Sequence, residues 1–158
     1  MKLGVLSDTH GQLRPQVFPF LEGVDRILHA GDVGDPEILV ALEAIAPVTA
    51  VWGNTDGFDI RHRTTETAHL EVEGVRMVVT HGHTVTPLTA ESLSAHFPDA
   101  DLVVYGHTHE PRQDQVGSQL ILNPGSCGPR RFGLPVTLAT VEIDAGTVRA
   151  QIHPLPID

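Results

Sequence analysis

Runs of apolar, β-favouring residues alternate with polar segments along the first third of the chain. Three of these runs predict buried strands, at residues 2–7, 26–30 and 48–52. A helix is expected after each of the first two strands, from Arg14 or Pro15 in one case and from Asp35 in the other. Because strands and helices alternate, the pattern predicts a parallel β-sheet.

The two expected helices differ in how clearly the sequence defines them. Pro19 would disturb a helix that continued through it, so the first helix should be short. The second begins with a capping aspartate, Pro36 and an acidic first turn, which are typical of a helix start, and Pro47 marks its end. Its apolar positions recur at helical spacing and predict a stripe packed on the sheet: Ile38, Leu39, Leu42 and Ile45.

The rest of the chain is dominated by hairpins, so the second half should be mainly antiparallel. Alternating segments flank glycine turns at residues 67–80, 113–123 and 136–152. The apolar run Leu102–Val104 predicts a parallel strand that is covered on both faces. We also expect a helix between Thr86 and Phe97, an exposed loop at residues 57–65, and a tail at residues 153–158 that lies along the surface.

The bulk composition restricts the class of protein. With 158 residues, 41% hydrophobic and 19% charged, the chain should form a single domain over residues 1–158. A net charge of −10 argues against a general binder of nucleic acids or anionic membranes, because phosphate groups attract basic surfaces. Cys127 is the single cysteine, so no internal disulfide can form, and no apolar run is long enough for a membrane span or a signal peptide. We therefore expect a cytoplasmic protein, and the sequence is compatible with a homo-oligomer without indicating one.

Residues with metal-ligating side chains follow five of the predicted strands. They stand beside glycines at carboxyl ends of strands, where open α/β sheets bind ligands: Asp8 and His10, Asp32, Asn54, His81, and His107 with His109. Two aspartates, one asparagine and four histidines suit divalent transition ions better than magnesium or calcium. Seven donors exceed the need of one ion, and with one bridging carboxylate they would suit two ions roughly 3.5–4 Å apart.

Taken singly, these residues have ordinary structural interpretations. Asp8 could close an Asx-turn, and Cys127 is more typical of a small packed residue than of a nucleophile. His29 lies within a predicted strand, which favours a hydrogen-bonded core histidine, whereas His69 and His96 lack a glycine turn and should lie on the surface. The repetition at five strand ends is what favours a metal site.

In their order along the chain, the five blocks resemble the calcineurin-like metallophosphoesterase superfamily: Asp8-x-His10, Gly31-Asp32, Gly53-Asn54, His81-Gly82 and Gly106-His107-Thr108-His109. More narrowly, the chain is similar to the small bacterial and archaeal phosphodiesterases related to the retromer scaffold subunit. The resemblance covers nearly the whole chain. It implies an α/β fold, a four-layer sandwich of two mixed β-sheets flanked by helices.

The resemblance also implies a role for each of the seven residues. Asp8, His10 and His109 would bind one ion, Asn54, His81 and His107 the other, and Asp32 both. A hydroxide bridging the ions would attack the phosphorus of a small phosphate ester, with Asp32, Asn54 and His81 as the expected catalytic residues. Manganese is the expected ion, and iron, zinc, cobalt and nickel are alternatives because nitrogen and oxygen donors accept them all.

The chain departs from the family pattern at Thr55, where many relatives have a histidine. Threonine cannot supply a proton at neutral pH, so the departure favours phosphodiesters or activated aryl esters over monoesters. His83 either substitutes in part for that histidine or is a solvent-facing strand end. A phosphomonoesterase or protein phosphatase, and a non-catalytic protein-binding scaffold of the same fold, are the alternative functions.

Four arginines could grip a second phosphate of the substrate: Arg61, Arg63, Arg130 and Arg131. For the first two, a solvated basic turn is the favoured interpretation. A chain of this length has no room for a cap domain, so we expect a shallow, open groove with little selectivity.

Overall fold

The computed structural model describes residues 1–157. Its strands are β1 (Lys2–Leu6), β2 (Arg26–His29), β3 (Val48–Ala50), β4 (Thr67–Val72), β5 (Val75–Thr80), β6 (Leu102–Val104), β7 (Arg112–Val116), β8 (Gln119–Asn123), β9 (Thr137–Asp144) and β10 (Thr147–Pro154). Its helices are a 3₁₀ turn at Pro15–Val17, α1 (Phe18–Leu21), α2 (Pro36–Glu43), α3 (Phe58–Arg63) and α4 (Ala90–His96). Among the described residues, no helix combines the length and apolarity that a membrane crossing requires.

The strands form two five-stranded sheets, and both sheets are mixed. The first has the order β10-β9-β1-β2-β3, in which β1, β2 and β3 are parallel and the β9–β10 hairpin joins β1 antiparallel. The second has the order β4-β5-β6-β8-β7, in which β5, β6 and β8 are parallel between two antiparallel edge strands. The predicted hairpins and the central parallel strand are confirmed. The second half is less antiparallel than predicted, because β6 and β8 pair in parallel.

The two sheets pack face to face through an apolar core. Leu3 of β1 and Met77 of β5 lie in this layer and are at most 1% exposed. On the outer faces, Leu42 of α2 packs in the cluster that covers the first sheet, and Leu93 of α4 packs in the cluster that covers the second. Burying one such side chain stabilises the fold by roughly 1.5–3 kcal/mol. The layers follow the order helix, sheet, sheet, helix, which confirms the predicted sandwich.

The prediction of an exposed loop at residues 57–65 was wrong, because α3 forms there. Only Ile60 of this helix is buried, so the segment lacks the apolar stripe by which helices are recognised. Asp59 in the first turn and a basic last turn complement the helix dipole. In the sequence analysis, the basic residues of this segment were interpreted as a solvated turn.

Two further boundaries differ from the prediction, and one agrees with it. The helix at Pro36–Glu43 ends before Ile45, which is 37% exposed and does not belong to the apolar stripe. The helix after β1 is short, as expected, because a 3₁₀ turn precedes it and Pro19 falls in the first turn of α1. The predicted surface tail is partly wrong: β10 extends to Pro154 and Leu155 is buried. The last residue of the tail, Asp158, lies outside the described residues.

Parallel pairing decides where the polar strand ends meet. Within the first sheet, β1, β2 and β3 end at the same edge, and in the second sheet β5 and β6 do so. The turns that follow these strands carry all the predicted ligand residues.

Candidate metal centre

The seven predicted ligand residues end in one cluster that forms two adjoining sets. The first set is Asp8, His10 and His109, and the second is Asp32, His81 and His107 together with Asn54. In each set the carboxylate oxygen and imidazole nitrogens lie within 4.8 Å of one another. Each set draws residues from the turns of both sheets. The structure therefore brings together all seven residues that the sequence analysis predicted as metal ligands.

Short separations connect the donor atoms within the second set. The Asn54 amide oxygen lies 3.1 Å from His81 Nε2 and 3.1 Å from His107 Nδ1. His81 Nε2 and His107 Nδ1 are 3.3 Å apart. In the first set, His10 Nε2 and His109 Nε2 are 3.2 Å apart. Two donors about 2.1 Å from one ion, at angles of about 90–110°, lie roughly 3.0–3.4 Å apart, so these separations fit the edges of a coordination polyhedron.

Asp32 connects the two sets. Its Oδ2 lies 3.1 Å from His81 Nε2 and 3.7 Å from His10 Nε2, whereas its Oδ1 accepts a hydrogen bond from the Thr55 backbone N–H at 2.9 Å. One oxygen is thus fixed by the backbone, and the other faces nitrogen donors of both sets. This is the arrangement that a bridging carboxylate requires.

An unsatisfied carboxylate oxygen provides a direct test of whether a cation fits. Asp8 Oδ2 accepts hydrogen bonds from the Ser7 hydroxyl at 2.7 Å and from the backbone N–H of His107 at 3.1 Å. Asp8 Oδ1 is buried and has no hydrogen-bond partner among the described residues. It lies 3.4 Å from His109 Nε2 and 3.6 Å from His10 Nε2. A buried anionic oxygen without a donor is costly, and a cation between these groups would compensate it.

The orientation of His81 points to the same conclusion. Its Nδ1 lies 2.8 Å from the Ala30 carbonyl oxygen, which can only accept, so Nδ1 carries the proton. In the neutral ring, the lone pair of Nε2 therefore points at Asp32 and Asn54, which also present oxygens. Such an arrangement repels itself unless a proton or a metal ion lies between the groups.

The pKa values reflect this crowding of charge. Burial would raise the pKa of Asp8, but contacts with His10, His109 and other neighbours lower it well below its usual range. Burial opposes ionisation of Asp32 as well, yet His81 and the Thr55 N–H lower its pKa to about 2. Burial favours the neutral form of His81, but Asp32 and Asp8 outweigh it and raise its pKa. Both carboxylates are thus ionised at neutral pH. A proton on His81 would compete with a cation for the same place beside them.

Unusual backbone conformations aim the ligands into the cluster. Asp8, His10, Asp32, His107 and His109 all have positive φ, between 46° and 74°. This left-handed region is uncommon for residues other than glycine and is concentrated at functional sites. Gly106 is required for close approach, because a Cβ there would lie 2.7 Å from Asp8 Oδ2. The glycine permits the close approach, and contacts with the surrounding structure hold the strained turns around the cluster.

Sequence reasoning missed the residues that hold these turns in place. The buried Asp56 carboxylate accepts hydrogen bonds from the N–H groups of Val33 at 3.1 Å, Gly34 at 3.0 Å and Gly53 at 2.9 Å. It thereby joins the turn after β2 to the turn after β3. Buried Asn123 donates to the Gly106 carbonyl at 3.3 Å and to the Thr108 hydroxyl at 3.0 Å, within the turn that carries two of the predicted ligand histidines. An acidic residue three positions after Gly53 was the available signal, but its pairing with another strand end was not.

The residues considered as ordinary core or surface groups behave as such. His29 is fully buried: Thr9 Oγ1 lies 3.0 Å from its Nε2, and the Gly31 N–H donates to its Nδ1 at 3.1 Å. Burial lowers its pKa to about 4, so the ring is neutral. Cys127 is fully buried, and burial raises the pKa of its thiol to about 12, which excludes a reactive thiolate. His69 and His96 are exposed.

The arginines and His83 differ from one another in exposure and in contacts. His83 is half-buried, with its ring centroid 5.4 Å from that of His81, and is therefore not a fully solvent-facing strand end. Arg61 packs on the Trp52 ring at 4.1 Å and donates to the Asp56 carbonyl at 2.8 Å. Arg130 and Arg131 are exposed. The cluster itself opens to solvent at Asn54, Thr55 and His107, whereas Asp8 and His81 are fully buried.

Comparison with known proteins agrees with this geometry. A model of the calcineurin-like phosphoesterase superfamily domain matches residues 1–146. A probable metallophosphoesterase of Methanothermobacter thermautotrophicus is 35% identical over an alignment of 162 positions, gaps included, which covers 96% of this chain and 91% of that protein. A phosphodiesterase of Methanocaldococcus jannaschii is 30% identical over 85% of this chain and 89% of its own length.

Among solved structures, Vps29 of Entamoeba histolytica, in complex with zinc, superposes with a TM-score of 0.80. It is 25% identical, and the alignment covers 98% of this chain and 99% of that one. The relation to the retromer scaffold subunit that the sequence suggested is thereby confirmed. The chain belongs to the calcineurin-like phosphoesterase superfamily, in its Vps29-related group.

Proposed function

We propose that this protein is a divalent-metal-dependent phosphoesterase, with phosphodiesters as its preferred substrates. The observation that carries the proposal is the buried, unpartnered Asp8 Oδ1, which faces His10 and His109 beside a second donor set. The family and its named relatives support phosphoester hydrolysis in general. The preference for diesters and the use of two ions are our inference from the residues.

Asp8, His10 and His109 would hold one ion, Asn54, His81 and His107 the other, and Asp32 would contact both. Two divalent ions bound by these residues would supply a water molecule of lowered pKa and would neutralise the phosphate oxygens. The protein contributes position: Ala30 fixes the His81 ring, and the Thr55 N–H fixes Asp32. Asn54 adds an oxygen ligand without a further negative charge beside the anionic substrate. The exposed rim at Asn54 and His107 lets the ester approach from solvent.

The preference for diesters rests on Thr55. Its N–H already binds Asp32, and its hydroxyl cannot donate a proton to a departing alkoxide at neutral pH. Esters whose leaving group is stable without a proton, such as aryl phosphodiesters, should therefore react faster than alkyl monoesters. Manganese is the ion we propose, although iron, zinc, cobalt and nickel also suit nitrogen and oxygen donors. The Vps29 relative was solved with zinc.

The test combines metal analysis with hydrolysis of bis(4-nitrophenyl) phosphate. Protein stripped with a chelator should bind two manganese ions per chain and recover hydrolysis as the ions are added. His109→Ala should lose binding at one position and most of the activity, whereas His69→Ala at an exposed position should match the wild type. Chelator-treated wild-type protein that stays inactive with manganese, iron, zinc, cobalt and nickel alike would refute the proposal.

A non-catalytic scaffold is the second candidate, because the fold is shared with Vps29 along nearly the entire chain. A scaffold would need no complete donor set. The chain has a competent donor at all seven positions, which favours the enzyme. Wild-type protein that binds manganese but hydrolyses neither mono- nor diesters would favour the scaffold.

A further inference from the structure

The segment of residues 128–134, hereafter the rim loop, lies between β8 and β9 and reaches the metal centre. It is fastened at its beginning to the turn that carries Asp8. The Ser126 hydroxyl donates to the Asp8 carbonyl at 2.8 Å, and the Arg14 guanidinium donates to the Gly128 carbonyl at 2.8 Å. The backbone of the rim loop therefore has a defined position relative to the first donor set.

The tip of the rim loop exposes an aromatic ring next to a ligand residue. Phe132 is 81% exposed, and its ring centroid lies 6.0 Å from that of His109 with an angle of 68° between the planes. Its φ is +57°, which is unusual for a bulky residue, and the Leu134 N–H closes the turn on the Arg131 carbonyl at 3.0 Å. A large apolar ring is thus presented to solvent at the edge of the centre.

Two arginines precede Phe132, and their charges are available. Arg76, Arg112 and Arg149 form ion pairs with carboxylates. Arg130 and Arg131 are exposed, and neither has a carboxylate within 4.0 Å in the part of the chain that the structure describes. In a protein of net charge −10, this leaves two unpaired positive charges in the rim loop, directly before the ring that lies beside His109, and they would attract an anionic substrate.

We propose that the rim loop is a substrate subsite that selects phosphate esters bearing a planar aromatic group of the nucleobase type. Phe132 stacks on that group, and Arg130 and Arg131 attract the anion. The inference rests on the proposed function, since it assumes that the phosphate lies at the metal centre. Stacking does not depend on which base is present, because every base contributes affinity through its π-face. The loop would therefore select aromatic esters as a class.

The experiment compares two ligands that share a phosphate and a ribose. Adenosine 5′-monophosphate and ribose 5-phosphate are titrated into manganese-loaded protein by calorimetry, and manganese affinity is measured in the same preparations. The wild type should bind the nucleotide about ten-fold more tightly than ribose 5-phosphate, which is the lower range of base–aromatic stacking. Phe132→Ala should abolish this preference while manganese affinity and ribose 5-phosphate binding change less than about two-fold.

The matched control is Phe58→Ala, which removes a ring that is 78% exposed and stacks on His62 of its own helix. It should keep the nucleotide preference, and Phe132→Tyr should keep it too. The double variant Arg130→Ala/Arg131→Ala should weaken both ligands about equally and reduce the dependence of binding on salt. An unchanged preference in Phe132→Ala, or an equal loss in Phe58→Ala, would overturn the inference and leave the proposed function standing. Wild-type protein that binds neither manganese nor iron, zinc, cobalt or nickel would overturn both.

Discussion

Removal of the Asp56 carboxylate should destabilise the protein strongly, although Asp56 is not a metal ligand. The side chain is 4% exposed and accepts three backbone hydrogen bonds, from Val33, Gly34 and Gly53. These bonds join the turn that carries Asp32 to the turn that carries Asn54. Asp56→Ala leaves the three N–H groups without an acceptor, two of them deep in the interior.

The size of the effect follows from the number of bonds. Leaving one buried donor unpaired costs about 1–3 kcal/mol, and water will reach the half-buried Gly34 bond, so we expect a total loss of about 3–5 kcal/mol. At roughly 2–4 °C per kcal/mol for a chain of this size, the unfolding midpoint should fall by about 6–20 °C. Asp56→Asn keeps one acceptor oxygen but turns an amide N–H₂ towards the other donors, so it should lose about half as much.

The assay is thermal unfolding with chelator and with saturating manganese. Ligand at one hundred times its dissociation constant stabilises a protein by about 2.7 kcal/mol, and Asp56→Ala should show a smaller gain because Asp32 and Asn54 are no longer held together. Asp99→Ala, at an exposed turn position, is the control. An Asp56→Ala protein that unfolds within about 2 °C of the wild type would mean that these bonds do not hold the two turns together.

Three further outcomes are expected. Manganese affinity, measured by calorimetry, should fall as the pH is lowered from 8 to 6, because the raised pKa of His81 lets a proton compete for Nε2; a flat profile would contradict this. The pKa of His29 is lowered to about 4, so the unfolded state takes up a proton first, and the metal-free protein should lose about 3 kcal/mol between pH 6.5 and 4. His29→Gln should flatten that part of the curve in chemical unfolding, and an unchanged slope would show that another group is responsible. Thr55→His should raise monoesterase relative to diesterase activity, since a histidine can protonate the leaving group, and an unchanged ratio would remove this explanation of diester preference.

The strand ends could be predicted because their signal is local. A buried apolar run, a glycine and a short polar or imidazole side chain follow one another within a few positions, as at Gly106 and His107. The residue types then predict a cation site. Within each sheet, their meeting was predictable from parallel pairing, which brings carboxyl ends to one edge, whereas the meeting of the two edges depends on how the two sheets dock.

The supporting contacts were not predictable in the same way, because they depend on how distant segments pack. Asp56 was visible as a polar turn residue, but its acceptor role depends on Val33 and Gly34, which lie more than twenty residues earlier. The helix α3 was missed since one buried residue, Ile60, leaves no periodic pattern. The β9–β10 hairpin was recognised, yet its pairing with β1 is set by the whole sheet.

Each donor set takes residues from both sheets, and this has a consequence for how the protein responds to mutation. Either sheet by itself would present an incomplete set of donors, so the centre exists only where the two faces are docked. The affinity for ions should therefore depend on whether the two sheets are correctly docked. If enzyme activity is measured for substitutions along the whole chain, substitutions of interior residues such as Met77 and Leu102 should lower it as substitutions of the ligand residues do. Both side chains lie in the apolar layer between the sheets and are not among the predicted ligand residues.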